Sequence, residues 1–172
     1  HLSIRRQRQM CIRDRLYLVF NEGYFASGSE MPALRSELTT EAIRLTRLVR
    51  ELLPDDAEVA GILALMLLSE ARSPARITAK GELVRLDEQD RGLWNRELID
   101  EGLSLLDRLR GAVPGRYTLL AQINAVHAAA VDAELTDWQR IVELYEQLER
   151  VDPSPVVTPV SYTHLEPTRP LY

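Results

Sequence analysis

Residues 54–71 read PDDAEVAGILALMLLSEA, and their reading decides the fold. Pro54 suits the first turn of a helix because its φ is already fixed there, and Asp55 and Asp56 place carboxylates at the positive end of the helix dipole. The run Gly61 to Leu68, GILALMLL, is apolar on every side. An amphipathic helix shows water one polar face, whereas a helix with none must be surrounded. The stretch Ala57 to Ala71 is therefore expected to be the most buried element, with the rest of the chain wrapped around it. The run is too short to cross a membrane, which takes about 18 or more consecutive apolar residues.

Outward from this centre the apolar residues keep helical spacing. Before it, Leu38, Ala42, Ile43, Leu45, Leu48, Val49 and Leu52 form an apolar stripe, with Glu41, Arg44, Arg47 and Arg50 on the wetter side. Earlier still, Leu16, Val19, Phe20 and Tyr24 mark a short first helix, ended by the Ala26 to Pro32 segment around Gly28. After the centre, the rhythm breaks from Arg72 to Asp90. There Ile77, Leu83 and Val84 flank Lys80 and Gly81 and suit a small hairpin or structured loop. Helix resumes from Trp94 to Arg110, with Leu98, Ile99, Leu103, Leu106 and Leu109 on one face. Gly111, Pro114 and Gly115 end it, and a further helix runs from Arg116 to about Val131 through Leu119, Leu120, Ile123, Val126 and His127. Asp137 is the N-cap of a last one carrying Trp138, Ile141, Leu144, Tyr145 and Leu148, which stops at Asp152 and Pro153.

The expected fold is all-α, with antiparallel helical hairpins and one short hairpin or structured loop near 72–90. The order Trp138, Ile141, Tyr145 and Pro153 resembles parts of a tetratricopeptide repeat, whose stacked helix pairs share a continuous core.

Both chain ends differ from this middle. Gln9 to Arg15, QMCIRDR, and Pro159 to Leu165, PVSYTHL, back-translate to nucleotide stretches that are reverse complements. Both resemble the transposon-end tag of sequencing-library preparation. Residues 1–15 and 159–172 are accordingly read as translated adaptor and set aside, with 16–158 as the native helical segment. The whole chain carries a net charge of −5. Without Arg5, Arg6, Arg8, Arg13, Arg15, Arg169, Asp14 and Glu166 it keeps 15 basic and 24 acidic side chains, about −9. So acidic a segment repels phosphate and is a poor direct ligand for nucleic acid. No secretory signal is legible, and the reading is cytoplasmic. Cys11 stands alone, which excludes an internal disulfide and gives no zinc-binding cluster.

Catalytic patterns are missing from the sequence: no glycine-rich phosphate loop, no HExxH, no nucleophile elbow. His127 sits on an alanine-rich helical face and reads as a core histidine. The carboxylate pairs Asp87 with Asp90 and Asp100 with Glu101 precede or open a helix, where caps and solvated ion pairs are the ordinary use. The chain is read as a non-enzyme without metal or cofactor.

The most informative residues are Arg72, Arg76, Asp87, Gln89, Asp90, Arg91 and Trp94. One expectation is a network in which Arg72 and Arg76 pair with the acidic cluster and fix a long loop. The other is a charged docking surface for a protein domain. Trp94 fits either the contact surface or the core.

The blocks LYLVFNEGY (Leu16 to Tyr24), EAIRLTRLV (Glu41 to Val49), LALMLLSEARSPAR (Leu63 to Arg76), GELVRLDEQDRGLWNRELIDEGL (Gly81 to Leu103) and DPSPVV (Asp152 to Val157) closely resemble the C-terminal extension of a group of bacterial extracytoplasmic-function RNA polymerase sigma factors. The resemblance spans essentially the whole native segment. It implies two sigma regions before Leu16, for the −10 and −35 promoter elements, and further helices after Val157. It also implies an accessory role in transcription initiation through contacts with core RNA polymerase or sigma regions 2 and 4. Promoter DNA would be met only by the missing N-terminal regions, with no membrane or small-molecule partner. The alternatives are a free-standing helical-repeat adaptor, and a small-molecule-binding or hydrolytic domain built on the Asp87 to Trp94 loop. With later helices absent, the last hairpin is expected to expose an apolar face.

Overall fold

A computed structural model describes residues 2–25, 32–78 and 82–153, with side chains described for 11–24, 36–78 and 82–153. The expected turn at Lys80 and Gly81, the break at Ala26 to Met31 and residues 154–172 lie outside the described residues. The order is α1 (Leu2–Phe25), α2 (Pro32–Leu52), α3 (Ala57–Glu70), α4 (Ser73–Arg76), a 3₁₀ turn (Arg91–Leu93), α5 (Arg96–Arg108), α6 (Arg116–Ala129) and α7 (Trp138–Val151). The all-α expectation holds.

The long helices pair as hairpins α1/α2, α3/α5 and α6/α7. The first helix of each pair lies beside the first helix of the next, the stacking of a tetratricopeptide-like array. In the middle sits α3, packed against α1 and α2 on one side and α5 and α6 on the other. Every residue from Val59 to Ser69 is buried, as an all-round apolar run requires. Asp56 caps this helix, its Oδ1 accepting from the backbone N–H of Glu58 at 3.0 Å and of Val59 at 3.2 Å.

Two glycines set how closely the neighbours approach. A Cβ on Gly61 would lie 2.8 Å from the Thr118 nitrogen, so α3 and α6 meet there nearly backbone to backbone. On Gly102 it would lie 2.9 Å from Leu68 Cγ, the contact of α5 with α3. Three clusters fill the interfaces. Phe20, Ala42, Ile43 and Tyr117 join the middle of α3, Trp94 and Ile99 meet its C-terminal end, and Leu119 and Ile123 meet Ile141, Leu144 and Leu148 of α7.

Three expectations need correction. The first helix starts at Leu2 rather than near Leu16, because residues 2–15 contain good helix formers and neither glycine nor proline. The broad stripe of α2 divides: Thr39, Ala42, Ile43 and Thr46 turn inward, while Leu48 and Leu52 are 42% and 78% exposed. Lastly, the apolar exposure expected of the last hairpin is partial: α7 buries Ile141, Leu144 and Leu148 against α6 and turns Gln139, Arg140, Glu143, Glu146 and Arg150 to solvent, while Trp138, Val151 and the preceding Val131 and Leu135 stay exposed.

Candidate functional site

The long connection from α3 to α5 holds all seven residues singled out from the sequence. It is a strap whose ends meet, the Asn95 N–H donating to the Ala71 carbonyl at 2.9 Å. Because α1, α3 and α6 run the same way in the stack, their C-terminal ends lie together, and the strap crosses them. A helix C-terminus presents unsatisfied carbonyls and the negative end of the dipole, so it attracts cations.

Three arginines of the strap meet this demand. Arg91 Nη1 donates to the His127 carbonyl at 2.6 Å and the Ala130 carbonyl at 2.8 Å, closing the end of α6. Arg76 Nη1 donates to the Tyr24 carbonyl in the last turn of α1, and its guanidinium lies 3.9 Å from the centre of the Tyr24 ring. Arg72, directly after α3, donates from Nη2 to Asn124 Oδ1 of α6 at 2.6 Å. Asn124 is fixed in turn by donating from Nδ2 to the Leu120 carbonyl at 3.0 Å. Burial lowers the pKa of both Arg72 and Arg91 from the usual guanidinium value.

The expected pairing of Arg72 and Arg76 with the acidic cluster is not formed. Asp87 instead takes both nitrogens of its neighbour Arg85, at 3.1 and 2.8 Å, on the surface. Asp90 caps the 3₁₀ turn by accepting from the Gly92 N–H at 2.8 Å. Gln89 Nε2 donates to the Val84 carbonyl at 3.1 Å. Helix-end carbonyls, which are fixed in place and need no desolvation of a carboxylate, are the better partners for half-buried arginines. The short-hairpin expectation is met by one antiparallel bridge between Ile77 and Leu83.

Trp94 belongs to the core. It is 3% exposed among Leu68, Ala71, Ala75, Ile99 and Ala128, with the Arg91 guanidinium 4.7 Å from its ring centre. The arrangement is thus a clamp: Trp94 anchors the strap in the core while Arg76 and Arg91 fasten it to α1 and α6.

Several contributors were not singled out from the sequence. Glu70, at the end of α3, has its carboxyl pushed above the usual range by burial, opposed by hydrogen bonds with Ser73 and Thr39 and by the charge of Arg76. Glu58 caps α6 from α3, accepting from the Tyr117 N–H at 3.0 Å and from the Thr118 N–H and hydroxyl at 3.2 and 2.6 Å. No local signal marks a cap supplied from 59 residues away. The hollow at the α2–α3 turn is lined by Pro54, Asp55, Asp56 and Glu58, but Asp56 and Glu58 already serve as caps. Among the described residues no three His, Cys, Asp or Glu side chains converge to hold a metal, and no helix is long and apolar enough to cross a membrane.

An uncharacterized protein of Rhizobium meliloti (strain 1021) is 46% identical over 156 residues, covering 90% of this chain and 36% of the relative. The chain therefore spans about a third of that relative's length. No solved structure matches the chain. Residues 8–110, from within α1 to just past α5 and including the strap, match the model of a family of unknown function, DUF6596, and the chain belongs to that family.

Proposed function

We propose that this chain is the accessory C-terminal module of a bacterial extracytoplasmic-function sigma factor. It is non-catalytic and cytoplasmic, and it modulates transcription initiation through protein contacts with core RNA polymerase or the sigma regions of its own polypeptide. On this reading residues 16–158 are native and both ends are translated adaptor, although the family match begins at residue 8 and the Rhizobium match spans 156 residues.

The observation that carries the reading is that the sequence blocks resembling such extensions are assembled into one physical unit. Tyr24 of the first block takes Arg76 of the third, Arg47 of the second forms a bidentate pair with Glu101 of the fourth at 3.0 and 2.6 Å, and Trp94 of the fourth packs on Leu68 and Ala71 of the third. The greater length of the Rhizobium relative supports a module within a longer polypeptide over a free-standing adaptor.

The test is promoter-dependent transcription by core polymerase with the full-length protein, with a version ending before Leu16, and with Asp90 and Arg91 replaced. Altered initiation on truncation, with core binding intact, is expected. Equal transcription by all forms would overturn the proposal.

A further inference from the structure

The strap is held to the body differently from the helices. Its described residues, 72–78 and 82–95, belong to a loop closed at the neck, where the Asn95 N–H donates to the Ala71 carbonyl. A loop whose ends meet can leave the body without moving the helices it joins. Its hairpin bonds are internal: the Thr78 N–H donates to the Glu82 carbonyl at 2.9 Å and the Val84 N–H to the Arg76 carbonyl at 2.8 Å. In backbone packing α4 and the 3₁₀ turn have each other as principal neighbour rather than a long helix. Ile77, Leu83 and Leu93 are 45%, 62% and 55% exposed and add little hold. Sparse apolar contact and solvent-facing backbone bonds mark the parts of a fold that open before the whole.

A few side chains keep the strap shut. Trp94 and Ala75 are buried on a floor of Leu68, Ala71, Ile99 and Ala128, with Leu86 packed partly against it. Arg76 and Arg91 reach the carbonyls that end α1 and α6. Arg72 sits at the neck and stays with the body through Asn124. The fit is incomplete: the buried atoms Gln89 Oε1 and Trp94 Nε1 find no hydrogen-bond partner among the described residues. A buried polar atom without a partner is destabilised relative to its hydrated state, so opening relieves both.

We propose that the strap is a lid, which opens as one unit while the long helices stay folded. Opening withdraws Trp94, Arg76 and Arg91 together, because all three are carried on the one closed loop. It uncovers the apolar floor, bordered by the His127 and Ala130 carbonyls of the α6 end. That surface accepts an indole and a guanidinium at once, as Trp94 and Arg91 do in the closed state with cation and ring centre 4.7 Å apart. The closed strap fills it with its own side chains and so controls access to it.

Thiol labelling of the whole chain tests this, with Cys11→Ser and one new cysteine at a time: Ala128→Cys on the floor, where Ala128 is 3% exposed, or Ala121→Cys in the core between α3 and α6, where Ala121 is fully buried. When closing outpaces labelling, each rate reports how often its site is open. Labelling at position 128 is expected to be about a hundredfold faster than at 121, with a shallower dependence on urea, because only the strap leaves. Two further substitutions separate a lid from general loosening. Ile62→Val thins the core of α3 away from the strap, and is expected to speed position 121 about fivefold and leave 128 unchanged. Arg76→Ala frees the fastening to α1, and is expected to speed position 128 about tenfold although Arg76 is no part of the floor. Equal rates at 128 and 121 with one urea dependence would overturn the proposal, since the strap then leaves only with the whole fold. So would labelling at 128 at the rate of an unfolded chain, which leaves no closed state. An unchanged rate at 128 in Arg76→Ala would overturn it too, by reducing the opening to a local movement of Trp94.

Discussion

Arg91→Ala removes the strap's hold on α6. The wild-type guanidinium donates to two carbonyls in and just beyond the last turn of α6 and lies against Trp94. A hydrogen bond from a charged donor contributes roughly 1.5–3 kcal/mol when well buried. Arg91 is only partly buried, so screening holds the pair near the low end of that range, and the charge at the helix terminus, about 0.3–1 kcal/mol, is largely the same interaction counted another way. The expected loss is about 2 kcal/mol, which at a urea slope of about 2 kcal/mol per molar lowers the unfolding midpoint by about 1 M. Arg91→Lys keeps the charge but not the fork that reaches both carbonyls, and is expected to lose more than half as much. Asp90→Ala removes one exposed cap bond and is expected to cost only about 0.5 kcal/mol, the low end for a cap. Urea unfolding followed by far-ultraviolet circular dichroism reads all three. An Arg91→Ala midpoint matching wild type, or an Asp90→Ala loss as large as that of Arg91→Ala, would refute the account of the strap as a helix-end clamp.

Other substitutions probe the packing and the ends. Gly61→Ala places a methyl against the backbone of Thr118, which cannot swing aside; a loss of about 3 kcal/mol is expected from overpacking, and a tolerated alanine in the same denaturation assay would contradict the close approach of α3 and α6. Glu70 titrates in the fold above the ordinary carboxylate value, so the folded protein holds this proton more tightly than the unfolded chain does. The stability linked to this group is present below the unfolded value and lost as pH rises through the folded one; Glu70→Gln should therefore flatten the decline of stability with pH in that window, and an unchanged slope would count against it. Deletion of residues 1–15 removes the contacts of Arg13 with Asp56 and of Asp14 with Tyr117 and is expected to leave a cooperative unfolding transition in place, whereas a molten product would make that stretch an integral part of the domain.

What could be read in the sequence was local. The all-round apolar run in α3 has no other stable use than a surrounded helix, and Asp137 caps where a short polar side chain before a helix is expected to, whereas Pro54, expected in the first turn, lies two residues before the cap Asp56. The break after Arg72 was visible because apolar spacing fails there. The partners of the strap were not visible. Arg76 reaches a carbonyl 52 residues back, and Arg91 reaches carbonyls 36 and 39 residues ahead. Every helix end offers such carbonyls whatever its side chains, so no residue type announces the pairing. The acidic cluster from Asp87 to Asp90 was the acceptor the sequence suggested, and its two aspartates proved to serve Arg85 and Gly92. The same limit hid Glu58 as the cap of α6. In α2 the apolar stripe is wider than one contact face, so periodicity alone could not say that Leu48 and Leu52 would lie outside.

The most direct test of the central claim is the uninterrupted native DNA sequence across the codon of Leu16, read on single long molecules prepared without transposon tags. The account predicts one open reading frame in which two sigma regions, one for each promoter element, run without a stop into LYLVFNEGY, and in which the QMCIRDR codons are absent. A start codon close to Leu16, or an unrelated domain in frame before it, would contradict the account.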